Sequence, residues 1–275
     1  MLLRIARSAA LALGILAGAG LPATAGGDIV NLATTTTVED SGLLEHLLDA
    51  YGAAGGGPVR AVVRGTGEVL ALARRGDADL LLTHDAEAEQ TLVRDGAGLA
   101  RAELMFNDFV IVGPAADPAE VTGLSDASAA LARIIEARAP FVSRGDDSGT
   151  HRRERALWDA EGREPGGDGY LESGNGMGMT LNIASARNAY TLADRGTWLA
   201  FNNKGELQVL VEGDPRLKNV YGLVLVDPAG KDGVNAAGAR RLADWLLSPA
   251  GQAAIAAYRI DGVQAFHPAA SNWKN

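Results

Sequence analysis

Hydroxyl-bearing residues cluster at three places in this 275-residue chain, each where an apolar run gives way to a helical pattern. They are Thr34-Thr35-Thr36-Thr37, Gly65-Thr66-Gly67 and Ser143-Arg144-Gly145-Asp146-Asp147-Ser148-Gly149-Thr150. A strand that feeds a helix through such a turn aims unpaired backbone N–H groups and the positive end of the helix dipole at one spot. That is chemistry for holding an anion. The third cluster adds Arg144, whose planar guanidinium suits a tetrahedral dianion. Ser173-Gly174-Asn175-Gly176-Met177-Gly178 offers a fourth turn rich in free amides. Each feature has a plainer reading: threonine as a helix cap, Gly-Thr-Gly as a turn, Arg144 paired with Asp146 or Asp147, and a glycine-rich connector.

Catalytic chemistry is less well served. The four histidines, His46, His84, His151 and His267, show no metal-ligand spacing. There is no phosphate loop ending in Gly-Lys-Ser/Thr and no Gly-x-Ser-x-Gly elbow. Asp147, Ser148 and His151 are triad letters, but they fall within five residues entering one helix, and a triad is defined by converging geometry. His84-Asp85 follows an apolar run and could face a cleft, although a local cap or surface pair is the plainer reading. The expectation is no catalytic residue, no cofactor and no cation site.

Apolar runs and helical patterns alternate along the chain, the signature of an α/β fold. Strands are expected over 28–33, 59–64 and 80–83, with helices over 38–51, 67–74 and 86–94 between and after them. These make two successive β-α-β steps, with Thr36 or Thr37 capping the first helix. Residues 109–112 read as a strand leaving this unit and 220–226 as a strand returning to it. Between them lie helices over 127–137, 150–158 and 179–194 and a short strand at 141–143. Two further helices, 236–247 and 249–257, close the chain. Two crossings imply a two-strand hinge between two lobes, each a mainly parallel sheet flanked by helices. Lobe one is expected over 26–108 and 225–275, lobe two over 109–224. Ligands of open α/β sheets sit at the carboxyl ends of strands, where all three hydroxyl clusters fall.

The bulk properties agree with export. Arg4 and Arg7 form a basic start, residues 9–21 an apolar stretch, and Ala23-Thr24-Ala25 a small-residue cleavage site, so 1–25 reads as a signal peptide and Gly26 as the mature start. The stretch is too short and glycine-rich to span a bilayer, which takes about 20 apolar residues. Zero cysteines exclude disulfides, thiolate metal sites and a lipidated N-terminal cysteine. Losing Arg4 and Arg7 with the signal moves the net charge from −9 to −11, which argues against nucleic acid and anionic lipid as partners. An acidic protein still binds an anion where local donors and dipoles govern a deep site.

Taken in order, these motifs resemble the tungstate-binding proteins of ABC importers. The resemblance runs through Thr34 to Thr37 with Ser41-Gly42-Leu43, through Gly65-Thr66-Gly67, and through Gly76-Asp77-Ala78-Asp79 with His84-Asp85. It continues through Asn107 to Pro114, Ser143 to Thr150, Gly176-Met177-Gly178, Ala189 to Leu192, Asp194-Arg195-Gly196 and Val211 to Pro215. The Ser-Arg…Ser-Gly-Thr element alone would also suit phosphate binders. The resemblance implies the type II periplasmic binding fold and an oxyanion in the interlobe cleft, contacted by Thr35, Thr36 and Thr37 and charge-matched by Arg144. Thr66, Ser143, Thr150 and Ser173 are the expected additional donors. The family pattern Thr-Thr-Thr-Ser-Thr becomes Thr34-Thr35-Thr36-Thr37-Val38 here, so a hydroxyl survives at 37 and is lost at 38. The implied ligand is tungstate, with molybdate also accepted, and the implied partner a membrane permease. Phosphate or sulfate is the alternative ligand, an exported hydrolase the distant alternative, and a monomer the expected state.

Overall fold

The computed structural model describes residues 29–274; the expected signal peptide and its cleavage site lie outside them. The first unit runs β1 (Val30–Thr35), α1 (Thr36–Asp40), α2 (Leu43–Ala53), β2 (Val59–Arg64), α3 (Thr66–Arg75), β3 (Leu80–Thr83) and α4 (Ala86–Arg94). β1 lies between β2 and β3, parallel to both, which is why its Leu32-Ala33-Thr34-Thr35 run is buried on both faces. β2 is an edge strand and only half-buried, with Arg60 and Arg64 turned outward.

The chain then enters β4 (Gly98–Pro114), a 17-residue strand shared by both lobes. Its first part pairs antiparallel with β9, and its last residues pair antiparallel with β7 and β8 in the second lobe. The second lobe holds α5 (Ala127–Glu136), β5 (Phe141–Ser143), α6 (Gly149–Ala160), β6 (Tyr170–Glu172), α7 (Met177–Arg187), β7 (Thr191–Asp194), α8 (Arg195–Ala200) and β8 (Leu207–Val211). β9 (Lys218–Val226) leads back, followed by α9 (Ala236–Leu247), α10 (Pro249–Ala257) and the short β10 (His267–Pro268) on the edge of β4. The two crossing strands lie side by side, with Asn107 opposite Asn219 and Asp108 opposite Lys218.

Each lobe has its own core. Leu32, Leu47, Leu80, Leu104, Tyr221 and Leu242 are buried together on one side of the first sheet, and Val69, Leu81, Leu92 and Val224 on the other. Phe109, Leu131, Phe141, Trp158 and Tyr190 fill one side of the second lobe, and Val110, Met177, Leu181 and Ala193 the other. Val38, where the family pattern has a hydroxyl, is fully buried in the first core beneath the threonine loop.

Several expected elements differ. The helix expected over 38–51 is two, because Gly42 takes φ +76° at a break between α1 and α2. Its N-cap position is Thr35, not Thr36 or Thr37, and no side chain caps it. The helix expected over 179–194 stops at Arg187, where Asn188 turns left-handed at φ +48°, and β7 follows. The strand expected at 109–112 is the tail of β4. Parallel pairing holds for β2-β1-β3 and β5-β6, whereas the crossing strands pair antiparallel and make the main sheet mixed.

Candidate functional site

Because β2, β1 and β3 are adjacent and parallel, the turns that follow them emerge side by side at one sheet end. These are the threonine loop, Gly65-Thr66-Gly67 and His84-Asp85. In the second lobe β5 and β6 are likewise parallel neighbours, so the Ser143–Thr150 loop and the Ser173–Met177 turn lie together. The helices that open there are not alike. α4 is capped by Asp85 and α6 by Ser148, but α1, α3 and α7 have no side-chain cap. Three sets of N-terminal amides are therefore left to find another acceptor.

The two loop groups meet across the cleft. A Cβ placed on Gly176 would lie 3.6 Å from Thr36 Oγ1, and one on Gly149 only 2.8 Å from the His84 ring. Arg152 of α6 reaches over to Asp85 at 2.6 Å while also holding Asp147 at 2.7 Å. A cavity of 720 Å³ opens beside this contact, walled by Gly67, His84, Asp85, Gly149, Arg152 and Arg153. Arg144 and the threonine loop do not line it.

Thr35 and Thr37 are buried and share a hydrogen bond of 3.0 Å, while Thr36 is half-buried at the start of α1. Thr66 and Thr150 are buried at the starts of α3 and α6, and among the described residues neither hydroxyl has a hydrogen-bond partner. A buried hydroxyl with no partner costs about 1–3 kcal/mol, so two at facing helix starts point to an absent acceptor. Arg144 is 3% exposed. Its Nη2 donates to Asp146 at 2.5 Å and its Nε to the Asn175 carbonyl at 3.3 Å, and Nη1 has no partner among the described residues. Asp146 is thus the residue that positions the guanidinium, and Asp147 pairs instead with Arg152.

Ser143 and Ser173 hold the loop rather than present free protons. Ser143 Oγ accepts from Gly145 N–H and hydrogen-bonds the Glu154 carboxyl, and Ser173 Oγ donates to the Arg144 carbonyl at 3.2 Å and bonds Thr180 at 2.8 Å. Beneath them the Glu154 carboxyl accepts from Tyr170 and Trp158, and burial pushes its pKa up to about 7. Asp147, Ser148 and His151 form no triad. Ser148 Oγ accepts from the His151 N–H, His151 Nδ1 accepts from the Asp147 N–H, and the Asp147 carboxylate belongs to Arg152.

The floor of the site is a buried polar network, and although His84, Asn107 and Asp194 each fall in a family motif, nothing in the sequence joined them. His84 Nε2 meets Thr37 Oγ1 at 3.2 Å and its Nδ1 meets Asn219 Oδ1 at 3.0 Å. Asn219 Nδ2 donates to Asn107 Oδ1 and to Asp194 Oδ2, both at 2.8 Å, and Tyr221 donates to the same Asp194 oxygen at 2.7 Å. Burial holds the His84 pKa below its ordinary value, although Asp194 pulls the other way. The signal in the sequence was slight: His84-Asp85 at a strand end, and two asparagines on the crossing strands.

The profile of the family described as "PBP superfamily domain" matches residues 22–250. The tungstate-binding protein TupA of Peptoclostridium acidaminophilum is 44% identical over 229 residues, covering 82% of this chain and 80% of that one. The solved tungstate ABC transporter protein of Geobacter sulfurreducens superposes with a TM-score of 0.78 at 40% identity, covering 84% of this chain and 99% of that one. TupA from Desulfovibrio alaskensis G20 gives a TM-score of 0.75 at 39% identity, over 88% and 99%. With the fold, the paired loops and the ordered motifs in common, this chain belongs to the PBP superfamily and, within it, to the family of the tungstate-binding proteins.

Proposed function

We propose that this protein is a periplasmic solute-binding subunit, not an enzyme, that captures tungstate between its lobes and delivers it to the permease of an ABC transporter. Molybdate, of nearly the same size and charge, is accepted as well. The observation that carries the reading is the pair of buried hydroxyls of Thr66 and Thr150, partnerless among the described residues, together with uncapped helix starts and the free edge of Arg144 on the loop that leads into α6. The amides and the guanidinium only donate and each hydroxyl has a proton to give, which suits a fully deprotonated tetrahedral dianion. The names of the relatives at about 40% identity support the same ligand. The lobe boundaries at 108/109 and 224/225, the signal peptide over 1–25 and the monomeric state complete the proposal.

Calorimetric titration with tungstate, molybdate, sulfate and phosphate side by side tests it. Tungstate should bind tightly and sulfate and phosphate far more weakly. Equal affinity for sulfate or phosphate would replace the reading with a receptor for those anions.

A further inference from the structure

The hydrogen bonds under the threonine loop have a direction, set from their far end. Asn219 Nδ2 is committed to Asp194 and Asn107, which leaves Asn219 Oδ1, an acceptor only, facing His84 Nδ1. Turning the amide over would set its carbonyl against the Asp194 carboxylate. Nδ1 of His84 therefore carries the ring proton, as the network assigns it. In neutral His84, the form that burial favours, Nε2 is then a bare lone pair. Among the described residues its hydrogen-bonding neighbour is the Thr37 hydroxyl, which must donate to it. Thr37 has one proton, so its 3.0 Å contact with Thr35 is filled by the Thr35 proton. With neutral His84, both hydroxyls send their protons inward, and Thr35 shows the cleft a lone pair. That is the wrong polarity for a dianion.

A proton added at Nε2 reverses the chain without moving a heavy atom. Nε2–H then donates to Thr37, Thr37 donates to Thr35, and the Thr35 proton turns out to the cleft. We propose that His84 is a positioning residue that sets the direction of the Thr35 and Thr37 hydroxyls, so that capture of a dianion is coupled to uptake of one proton by His84. This rests on the reading of the threonine loop as the anion site.

The surroundings of His84 allow both states. Asp194 at the end of β7 and Asp85 from its own loop favour the second proton, and burial and Arg144 from the second lobe oppose it. Tyr221 of β9 stacks on the ring at 5.1 Å, Phe109 of β4 tilts against it, and Gly149 of α6 closes the remaining side. A dianion beyond Thr35 adds negative charge where Arg144 otherwise dominates, and so tips the balance toward the imidazolium.

The test is calorimetry of the mature protein with sodium tungstate between pH 7 and 9, in Tris and in HEPES, whose protonation heats differ. Wild type should take up close to one proton per tungstate, and affinity should weaken about tenfold per pH unit, as linkage requires. Thr37→Val leaves His84 in place but cuts it off from Thr35, and should bind more weakly with no proton uptake. His84→Gln should also bind without uptake, and Glu154→Gln, which removes a buried carboxyl with a pKa raised to about 7, should keep it. Uptake that survives Thr37→Val, or that vanishes in Glu154→Gln, overturns the coupling. Tight wild-type binding with no uptake overturns it while leaving the function standing, whereas no tungstate binding at all would sink the functional reading and the coupling together.

Discussion

In the proposed site Arg144 would bring a full positive charge that the hydroxyls and helix ends cannot supply, because a helix terminus offers only about half a charge. Its neighbours hold Nε and Nη2 and leave Nη1 free, so the guanidinium is aimed before any ligand arrives. Arg144→Ala should weaken tungstate binding by about 2–5 kcal/mol, the range for a desolvated charge-assisted contact, and Arg144→Lys should recover only part of it. Unliganded stability should fall slightly through the loss of the Asp146 pair. Near wild-type affinity by calorimetry in Arg144→Ala would reduce the residue to a structural partner of Asp146. Thr66 and Thr150 behave in the opposite sense. Their hydroxyls are buried and partnerless, so Thr150→Val should leave unliganded melting unchanged or raise it, by up to about 1 kcal/mol, and still cost tungstate affinity about 1–2 kcal/mol. A variant that loses stability and keeps its affinity would show that the hydroxyl serves the fold. Arg144 and the threonines stand out in the sequence because a motif places them, and the structure brings their loops together. His84 shows there only as a strand-end residue that could face a cleft, because its partners Asn219 and Asp194 lie 135 and 110 positions away and only folding brings them together.

Among the elements, the β-α-β steps of the first lobe were legible because buried parallel strands write themselves as short apolar runs between turn residues. β4 was legible only at its end. Residues 98–108 carry Leu, Ala, Arg, Glu and Met, letters of high helix propensity, and Arg101 is buried within them because Glu89 neutralises it at 2.7 Å. β7 was hidden for a similar reason, since Ala189-Tyr190-Thr191-Leu192 continues the apolar spacing of α7 until Asn188 is seen to break it. The packing of α6 on β5 and β6 carries its own prediction. Glu154 is buried between them, and desolvation raises its pKa from 4.5 to about 7. The folded state thus holds this proton at pH values where the unfolded chain has released it. That contribution is full below pH 4.5 and is lost as pH rises through about 7. Glu154→Gln keeps an oxygen for Tyr170 and Trp158 and removes the titration. Thermal melting should show it more stable than wild type at pH 8 by about 3 kcal/mol, and nearly equal at pH 4.5. A constant difference across that range would place the raised pKa elsewhere.

At the scale of the whole molecule, two lobes joined by β4 and β9 must approach for both halves of the site to touch one anion. Across the cleft they meet through Arg152 to Asp85, Thr36 near Gly176 and Gly149 against His84, while Leu199 and Ala200 of α8 also pack against the first core. Arg152 is too exposed for its ion pair to decide closure alone. Gly149 is a sharper probe. It sits at the first position of α6 without a positive φ, so alanine is tolerated there by the backbone and should favour the helix by about 0.5–1 kcal/mol. Yet the added methyl would stand 2.8 Å from His84 Cε1 and 3.3 Å from the His84 carbonyl, contacts no real Cβ makes comfortably. His84 cannot yield, because Asn219, Thr37 and the stacked Tyr221 hold it on the other sides. The substitution therefore leaves the lobes intact as separate bodies and penalises only their approach. A ligand that stabilises the closed state must then work against that penalty, and its apparent affinity falls by the same factor. Gly149→Ala should melt at or slightly above the wild-type temperature without ligand, bind tungstate at least about tenfold more weakly, and stay more extended by small-angle scattering at saturating tungstate. Wild-type affinity and scattering in this variant would mean that the lobes do not need this contact, and that the anion is held without the closure that the facing helix starts imply.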